Sequence, residues 1–191
     1  MMSKEPTTIY TIGHSNLRFD ELVDLLSKNK IEMLVDVRST PYSQYNNQFD
    51  REQISHKLPQ NGIEYKYGGD FLGGRPNDPK CYKNEIVPDE DHADYLHLVD
   101  YPEVMKKEFF QRGINYLIKL AKERKLVVMC SEEDPSICHR HHLIGKYLVS
   151  QQIAVLHIRG DGKLVKDQML PNLVSISQAK QKDLLGFEKT K

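Results

Sequence analysis

The chain is short of cysteine, of net charge and of long apolar runs, and each shortage removes a class of protein. Three cysteines among 191 residues, Cys81, Cys130 and Cys138, are an odd number and too few for a disulfide framework. They suit a compartment in which thiols stay reduced. Basic and acidic residues stand at 27 each, which leaves neither the basic surface of a general nucleic-acid binder nor an acidic tail. No segment is apolar for the length a bilayer needs, and the opening Met-Met-Ser-Lys-Glu-Pro has no signal core. A cytoplasmic protein without a membrane partner is expected. Glycine-rich phosphate loops and dinucleotide fingerprints are also missing, since Gly68-Gly69 and Gly73-Gly74 lie in the wrong context for either.

What the chain has is an alternation of short apolar runs and helical spacing. Thr8–Ile12, closed by Gly13, reads as a first strand, and Phe19, Leu22, Val23, Leu25 and Leu26 space a helix that ends near Lys30. Ile31–Val37 is a nearly continuous apolar run of the kind that parallel strands carry when both faces are covered. Asp50-Arg-Glu-Gln53 predicts a capping box opening a helix that ends near Gly62, and Ile63–Tyr67 alternates as a third strand. Residues 68–102 are polar and irregular, the pattern of a lid-like insertion. Beyond it come a long helix over Glu103–Arg124 with Gly113 as a weak point and a strand at Leu126–Cys130. A helix over Ile137–Gln151, a strand at Ala154–Ile158 and a short antiparallel return near Lys163–Lys166 follow. The expected fold is α/β: a mostly parallel, Rossmann-like sheet with helices on both faces in three layers, and a long irregular insertion after the third strand. One domain is expected over residues 1–191, with its core in about 7–166 and a peripheral tail over 171–191.

Such sheets bind ligands beyond the carboxyl ends of their strands, and chemistry-bearing residues recur there. His14 and Ser15 follow the first strand, Asp36 and Arg38 end the second, Cys130 and Glu132 follow the fourth, and His157 ends the fifth. The densest group is Cys130-Ser-Glu132-Glu-Asp134-Pro135-Ser-Ile-Cys138-His139-Arg140, a strand-to-helix turn where young helix N–H groups favour a thiolate. Helical spacing puts Ile137, His141, Ile144 and Leu148 on one stripe facing the sheet, leaving Cys138 and His139 towards the rim. Arg140 and Arg38 are the expected anion clamp, and Asp36 and His14 are candidates for orienting groups or bases. A cysteine-phosphatase loop fails on spacing: Arg140 follows Cys130 by ten positions and Cys138 by two, and Glu132, Glu133 and Asp134 would repel a phosphate.

Thr11-Ile-Gly-His-Ser15, Asp36-Val-Arg38 with Pro41 and Ser43, Gly62-Ile-Glu-Tyr65, Leu72-Gly-Gly74, Met129-Cys-Ser-Glu132, Asp134-Pro135, Cys138-His-Arg140 and His157-Ile158 occur in this order. On these motifs the chain resembles the bacterial and archaeal family catalogued as domain of unknown function 488, over roughly Thr7 to Lys166. The resemblance implies a small α/β domain and supports this residue list, but implies no reaction. A weaker likeness, a strand, Cys-bearing loop and helix with an early Asp-Val-Arg, is to rhodanese-like sulfurtransferases. Expected catalytic residues are therefore Cys130, Glu132, Cys138, His139, Asp36 and His14. Expected substrate contacts are Arg140, Arg38, Ser15, Pro41, Tyr65, Gly73, Gly74, Arg75 and His157.

The expected function is a thiol-dependent transferase or hydrolase acting on a small anionic or nucleotide-like substrate. Cys130 or Cys138 would be the nucleophile, and Glu132 or His139 the acid/base. No cofactor is required by this reading. A metal ion on Cys130, Cys138 and His139 would make a metal-dependent hydrolase or transferase instead. A third alternative is a nucleic-acid or nucleotide binding module, with Tyr42, Tyr45, Tyr65 and Tyr67 stacking bases beside Arg38 and Arg75; the neutral charge counts against it. Nothing in the sequence sets an oligomeric state.

Overall fold

β-branched and aliphatic runs become the strands of a six-stranded sheet ordered β3-β2-β4-β1-β5-β6. The computed structural model describes residues 7–43, 46–90 and 93–172. The strands are β1 (Thr8–Gly13), β2 (Met33–Asp36), β3 (Glu64–Tyr67), β4 (Leu126–Cys130), β5 (Ala154–Ile158) and β6 (Leu164–Lys166). β1 to β5 are parallel, and β6 returns antiparallel to β5. The helices are α1 (Phe19–Lys28), α2 (Arg51–Gln60), α3 (Gly69–Leu72), α4 (Tyr95–Leu98), α5 (Tyr101–Lys106), α6 (Glu108–Glu123) and α7 (Lys146–Ser150), the last continuing from a π-helical segment over Arg140–Gly145. This is the expected mostly parallel α/β sheet.

The period-2 alternation of the strands splits the core in two. Ile12, Leu34, Val127 and Met129 face Leu22, Leu25 and Leu26 of α1 and Ile54 and Leu58 of α2. On the other side, Ile9, Met33, Val35, Leu126, Val128 and Cys130 face α5, α6, α7 and the π segment through Val104, Phe110, Ile114, Leu117, Ile144 and Leu148. Each such aliphatic side chain removed from water contributes about 1.5–3 kcal/mol before chain entropy is subtracted. β1 leads to β2 and β3 through helices on the first face, whereas β3 leads to β4 and β5 through helices on the second. β4 thus lies between two strands, β1 and β2, whose following segments leave to the opposite face. That reversal opens a crevice at the carboxyl end of β4, the place where open α/β sheets hold ligands.

Several elements depart from their sequence reading. Asp50 precedes α2, but its carboxylate accepts from the Ser43 amide at 2.8 Å rather than capping the helix. The helix expected over Glu103–Arg124 is two: α5, opened by Pro102 and capped by the Asp100 side chain, and α6, with the break at extended Lys107. Gly113 does not interrupt α6; it is where α6 passes over Phe71 and Leu72 of α3, and a methyl there would collide with both. The stretch 68–102 carries only short elements, yet Cys81, Tyr82 and Val99 are buried in the second core, and Tyr82 bridges Val99. Among the described residues no helix is long and apolar enough to cross a membrane.

Candidate functional site

β4 delivers Cys130 to the edge of the sheet on the face that carries the π segment. The loop after it is tied to its neighbours on both sides: His14 N–H donates to the Cys130 carbonyl at 3.0 Å, Ser15 N–H to the Ser131 carbonyl at 2.8 Å, and Val37 N–H to the Met129 carbonyl at 3.0 Å. Asp134 caps a single 3₁₀ turn, Pro135–Ile137, by accepting from Ser136 N–H at 2.9 Å. Cys138 is then extended and acts as the cap of the next helix, since its carbonyl accepts from His141 and its Sγ from the Arg140 amide at 3.5 Å. A sulfur so placed receives a helix N–H and lies at the positive end of the helix dipole.

The residues packed around the two sulfurs decide their charge. Cys130 Sγ donates to Glu132 Oε2 at 3.2 Å, and His139 Nδ1 lies 3.6 Å from Cys130 Sγ and 3.8 Å from Cys138 Sγ. Burial opposes ionisation of Cys138, but the Cys130 thiol, the Arg140 guanidinium and His139 outweigh it and hold its pKa well below that of an ordinary thiol. Cys130 moves the other way, raised by its neighbour Cys138 and by burial. Burial lifts the Glu132 carboxyl, and the charge on Cys138 adds to it. Burial works against the His139 imidazolium, and the Cys138 thiolate overcomes that penalty and raises it. The two sulfurs are thus pushed in opposite directions, Cys138 towards the thiolate and Cys130 towards the thiol.

Arg140 is wholly buried, and its guanidinium donates to the backbone carbonyls of Glu132 and Glu133. It holds the loop rather than reaching the cleft. Among the described residues no carboxylate pairs with it. Gly13 makes this possible: a methyl there would overlap the Glu132 carbonyl oxygen and press on Arg140. Arg38 is the contrasting case. Its Nη2 meets Asp36 Oδ2 at 2.6 Å, its Nε meets Asp36 Oδ1 at 2.9 Å, and it also donates to the Phe49 carbonyl at 2.7 Å and to His14 Nε2 at 3.2 Å. Asp36 is fully buried, accepts from the Arg38 backbone N–H as well at 3.1 Å, and takes a fourth bond from Tyr65 at 3.0 Å. His14, stacked on Phe49, is lowered to about 4 by burial and by Arg38, so it is a neutral acceptor behind Arg38.

The crevice is a cleft of about 250 Å³ lined by both cysteines, Glu132, His139, Arg38 and Arg75, with Tyr101 and Tyr95 on its wall. Of the residues predicted from the sequence, it brings together Cys130, Glu132, Cys138, His139, Arg38, Gly74 and Arg75. Gly74 lies so close to His139 that a Cβ would sit 2.7 Å from the ring. Asp36, His14, Tyr65 and Arg140 stand behind this lining. Ser15 is taken up in the β1–β4 turn, Gly73 in contacts with Ser39 and Gly69, and Pro41 in accepting from Arg51 N–H at 3.0 Å. His157 is elsewhere: its Nε2 meets Asp167 at 3.0 Å, its Nδ1 meets Thr11 at 2.6 Å, and Asp167 also meets His141 at 2.7 Å. Of the proposed base-stacking tyrosines, Tyr65 is held by Asp36 and Tyr67 is covered by the Arg51 guanidinium at 3.9 Å; Tyr45 lies outside the described residues.

Sequence reasoning missed Tyr101, Tyr95, Ser39 and Asp94 in the cleft, and the His141–Asp167–His157 network. Asp94 is committed to its own helix, capping α4 and pairing with His97 Nδ1 at 2.8 Å. Cys130, Cys138 and His139 present ligand atoms within 4.8 Å of one another, as do His141, His157 and Asp167, so two donor sets suited to a metal ion exist among the described residues. The family model described as domain of unknown function DUF488 matches residues 18–147. No curated protein and no solved structure gives a match.

Proposed function

The chain belongs to the DUF488 family, and on that footing we propose that it is an enzyme whose Cys138 thiolate attacks a small anionic substrate in the cleft at the carboxyl end of β4. One observation carries this reading: the buried Cys138 sulfur opens a helix by accepting from the Arg140 backbone N–H at 3.5 Å, and the field of the Arg140 guanidinium, itself buried and bonded only to carbonyls, reaches it. A buried charge needs a counter-charge, and the Cys138 thiolate supplies one. Cys138 is then the nucleophile and Glu132, with its carboxyl lifted by burial, the group that takes and returns a proton. Arg75 and Arg38, which both line the cleft, face the substrate's negative group, while Arg140 acts as a positioning residue. The volume, at about 250 Å³, suits a molecule smaller than most ligand sites hold.

Competitive alkylation at neutral pH, read by peptide mapping, tests the proposal. Cys138 should react at least about tenfold faster than free cysteine, as a low-pKa thiolate does, and Cys81, buried by the insertion, should lag far behind. Iodoacetate should gain on iodoacetamide relative to its ratio with free cysteine if the cleft favours anions. Reaction of Cys130 and Cys138 no faster than free cysteine would remove the thiolate mechanism. A metal-dependent reaction on the same donors is the second reading. It is favoured by the sulfur-to-Nδ1 separations of 3.6 and 3.8 Å, close to the roughly 3.6 Å that tetrahedral zinc bond lengths imply. Elemental analysis of protein purified without chelator or affinity metal decides it, with stoichiometric metal required.

A further inference from the structure

Resting on the reading of Cys138 as nucleophile, we propose that Cys130 is its resolving partner and that the substrate class is a small anionic disulfide, reduced by closure of a Cys130–Cys138 bond. Three observations and one chemical argument lead here. The two sulfurs lie within 4.8 Å of each other, so a bond of about 2.05 Å needs a closure of less than about 3 Å. Both line the same cleft, and both belong to the same side of the sheet. Glu132 Oε2 stands 3.2 Å from Cys130 Sγ, within reach of its proton. Finally, acyl or phosphoryl transfer by a thiolate ends with water and has no use for a second thiol in the cleft, whereas thiol–disulfide exchange needs one to release the first adduct.

The steps balance. The Cys138 thiolate attacks one sulfur of the substrate disulfide, a Cys138–substrate mixed disulfide forms, and the first substrate thiolate leaves. Cys130 then passes its proton to the Glu132 carboxylate and attacks Cys138 Sγ. The Cys130–Cys138 bond forms, the mixed disulfide breaks, and the second substrate thiolate departs with the proton from Glu132. Two electrons have moved from the protein thiols to the substrate, which is released as two thiols; an external dithiol reopens the protein disulfide. The Arg140 amide that bonds Cys138 Sγ at 3.5 Å, and the Glu132 carboxyl beside Cys130 Sγ at 3.2 Å, suit this order of attack.

The test treats fully reduced protein with 3,3′-dithiodipropionate, a dianionic disulfide, and in parallel with dicationic cystamine, following intact mass, released thiol and linked peptides. Wild-type protein should release two equivalents of mercaptopropionate, lose two hydrogens and yield a Cys130–Cys138 linked peptide, faster with the anionic reagent. The Cys130→Ser variant should stop at one equivalent with the adduct on Cys138. A wild-type adduct that stays on Cys138 unresolved overturns the Cys130 role and leaves the nucleophile standing. If neither cysteine outpaces free cysteine towards either reagent, the nucleophile reading falls with it. Faster reaction with cystamine overturns the anionic class. The wild-type time course alone separates these results, so the inference stays testable should the serine variant fail to fold.

Discussion

A guanidinium with no carboxylate partner and one with a bidentate partner serve different ends, and this chain buries one of each. Arg38 is matched by Asp36 at 2.6 and 2.9 Å; together they form a neutral strut between β2, the Phe49 carbonyl and His14. Removing one member of such a buried pair strands the other charge, which typically costs about 3–5 kcal/mol. Arg140 donates from Nη1 and Nη2 to two carbonyls, but among the described residues its buried Nε has no hydrogen-bond partner and no carboxylate matches its charge. Opposite charges a few ångströms apart at an effective dielectric near 20 interact by about 4 kcal/mol, enough to move a thiol by more than one pKa unit. Cys130 and Cys138 differ for the same reason. Cys138 has a helix amide and Arg140 to support its charge, whereas Cys130 has the Glu132 carboxyl and the Cys138 thiolate against it.

Elements set where these residues point, and the turn from β4 to the following helix depends on Gly13 at the end of β1. The Gly13→Ala variant should displace the Glu132 carbonyl and loosen Arg140. Stability should fall by about 1–3 kcal/mol, as overpacking does, with Cys138 alkylation at neutral pH slowed towards the rate of free cysteine; urea unfolding and labelling together check it. Unchanged stability and reactivity would show that the loop is not held this way. The same turn marks the limit of what the sequence discloses. Short apolar runs, with alternation in the third, identified the strands, and the strand-end rule together with the strand-to-helix turn gathered Cys130, Glu132, Cys138, His139 and Arg38 without any contact being known. Helical spacing then misplaced the first turn. It assumed 3.6 residues per turn from Ile137, but the helix opens at His139 and runs through π-wound Arg140–Gly145. Ile137 is therefore half exposed, whereas Cys138, His139, His141 and His142 are all buried. A π segment leaves no periodic trace in sequence, and such bulges gather at functional sites. His157 was misassigned for another reason: its partner Asp167 comes from beyond β6, and only folding brings it under Gly145, where a side chain would collide with the carboxylate.

At the scale of the whole molecule, buried histidines govern the response to acid. Burial lowers His14 to about 4, helped by Arg38, and lowers His142 to about 4 as well. Both fall below the ordinary 6.5, so between pH 6.5 and 4 the unfolded chain binds more protons than the folded one. The contribution of these two histidines is therefore full above pH 6.5 and falls as the pH drops, by about 1.4 kcal/mol per pH unit for each. His139, shifted upward, keeps its proton throughout that window and does not offset the loss. Urea unfolding across this range should show the decline, and the His142→Gln variant should reduce its slope by about one proton; a flat profile from pH 6.5 to 4 would contradict it. The sheet order serves the site at this same scale. Helices leave β1 and β2 on one face and β4 on the other, so the crevice exists before any side chain is placed in it.

The charge state of Cys138 is the point on which the chemistry turns. It is read most directly by ultraviolet titration of the thiolate in wild-type protein against the Cys138→Ser variant. A thiolate step well below the 8.5 or so of free cysteine, present in the wild type and lost in the variant, is expected. A wild-type protein whose thiols ionise only at or above that value, or a low step that survives in the variant, would contradict the account.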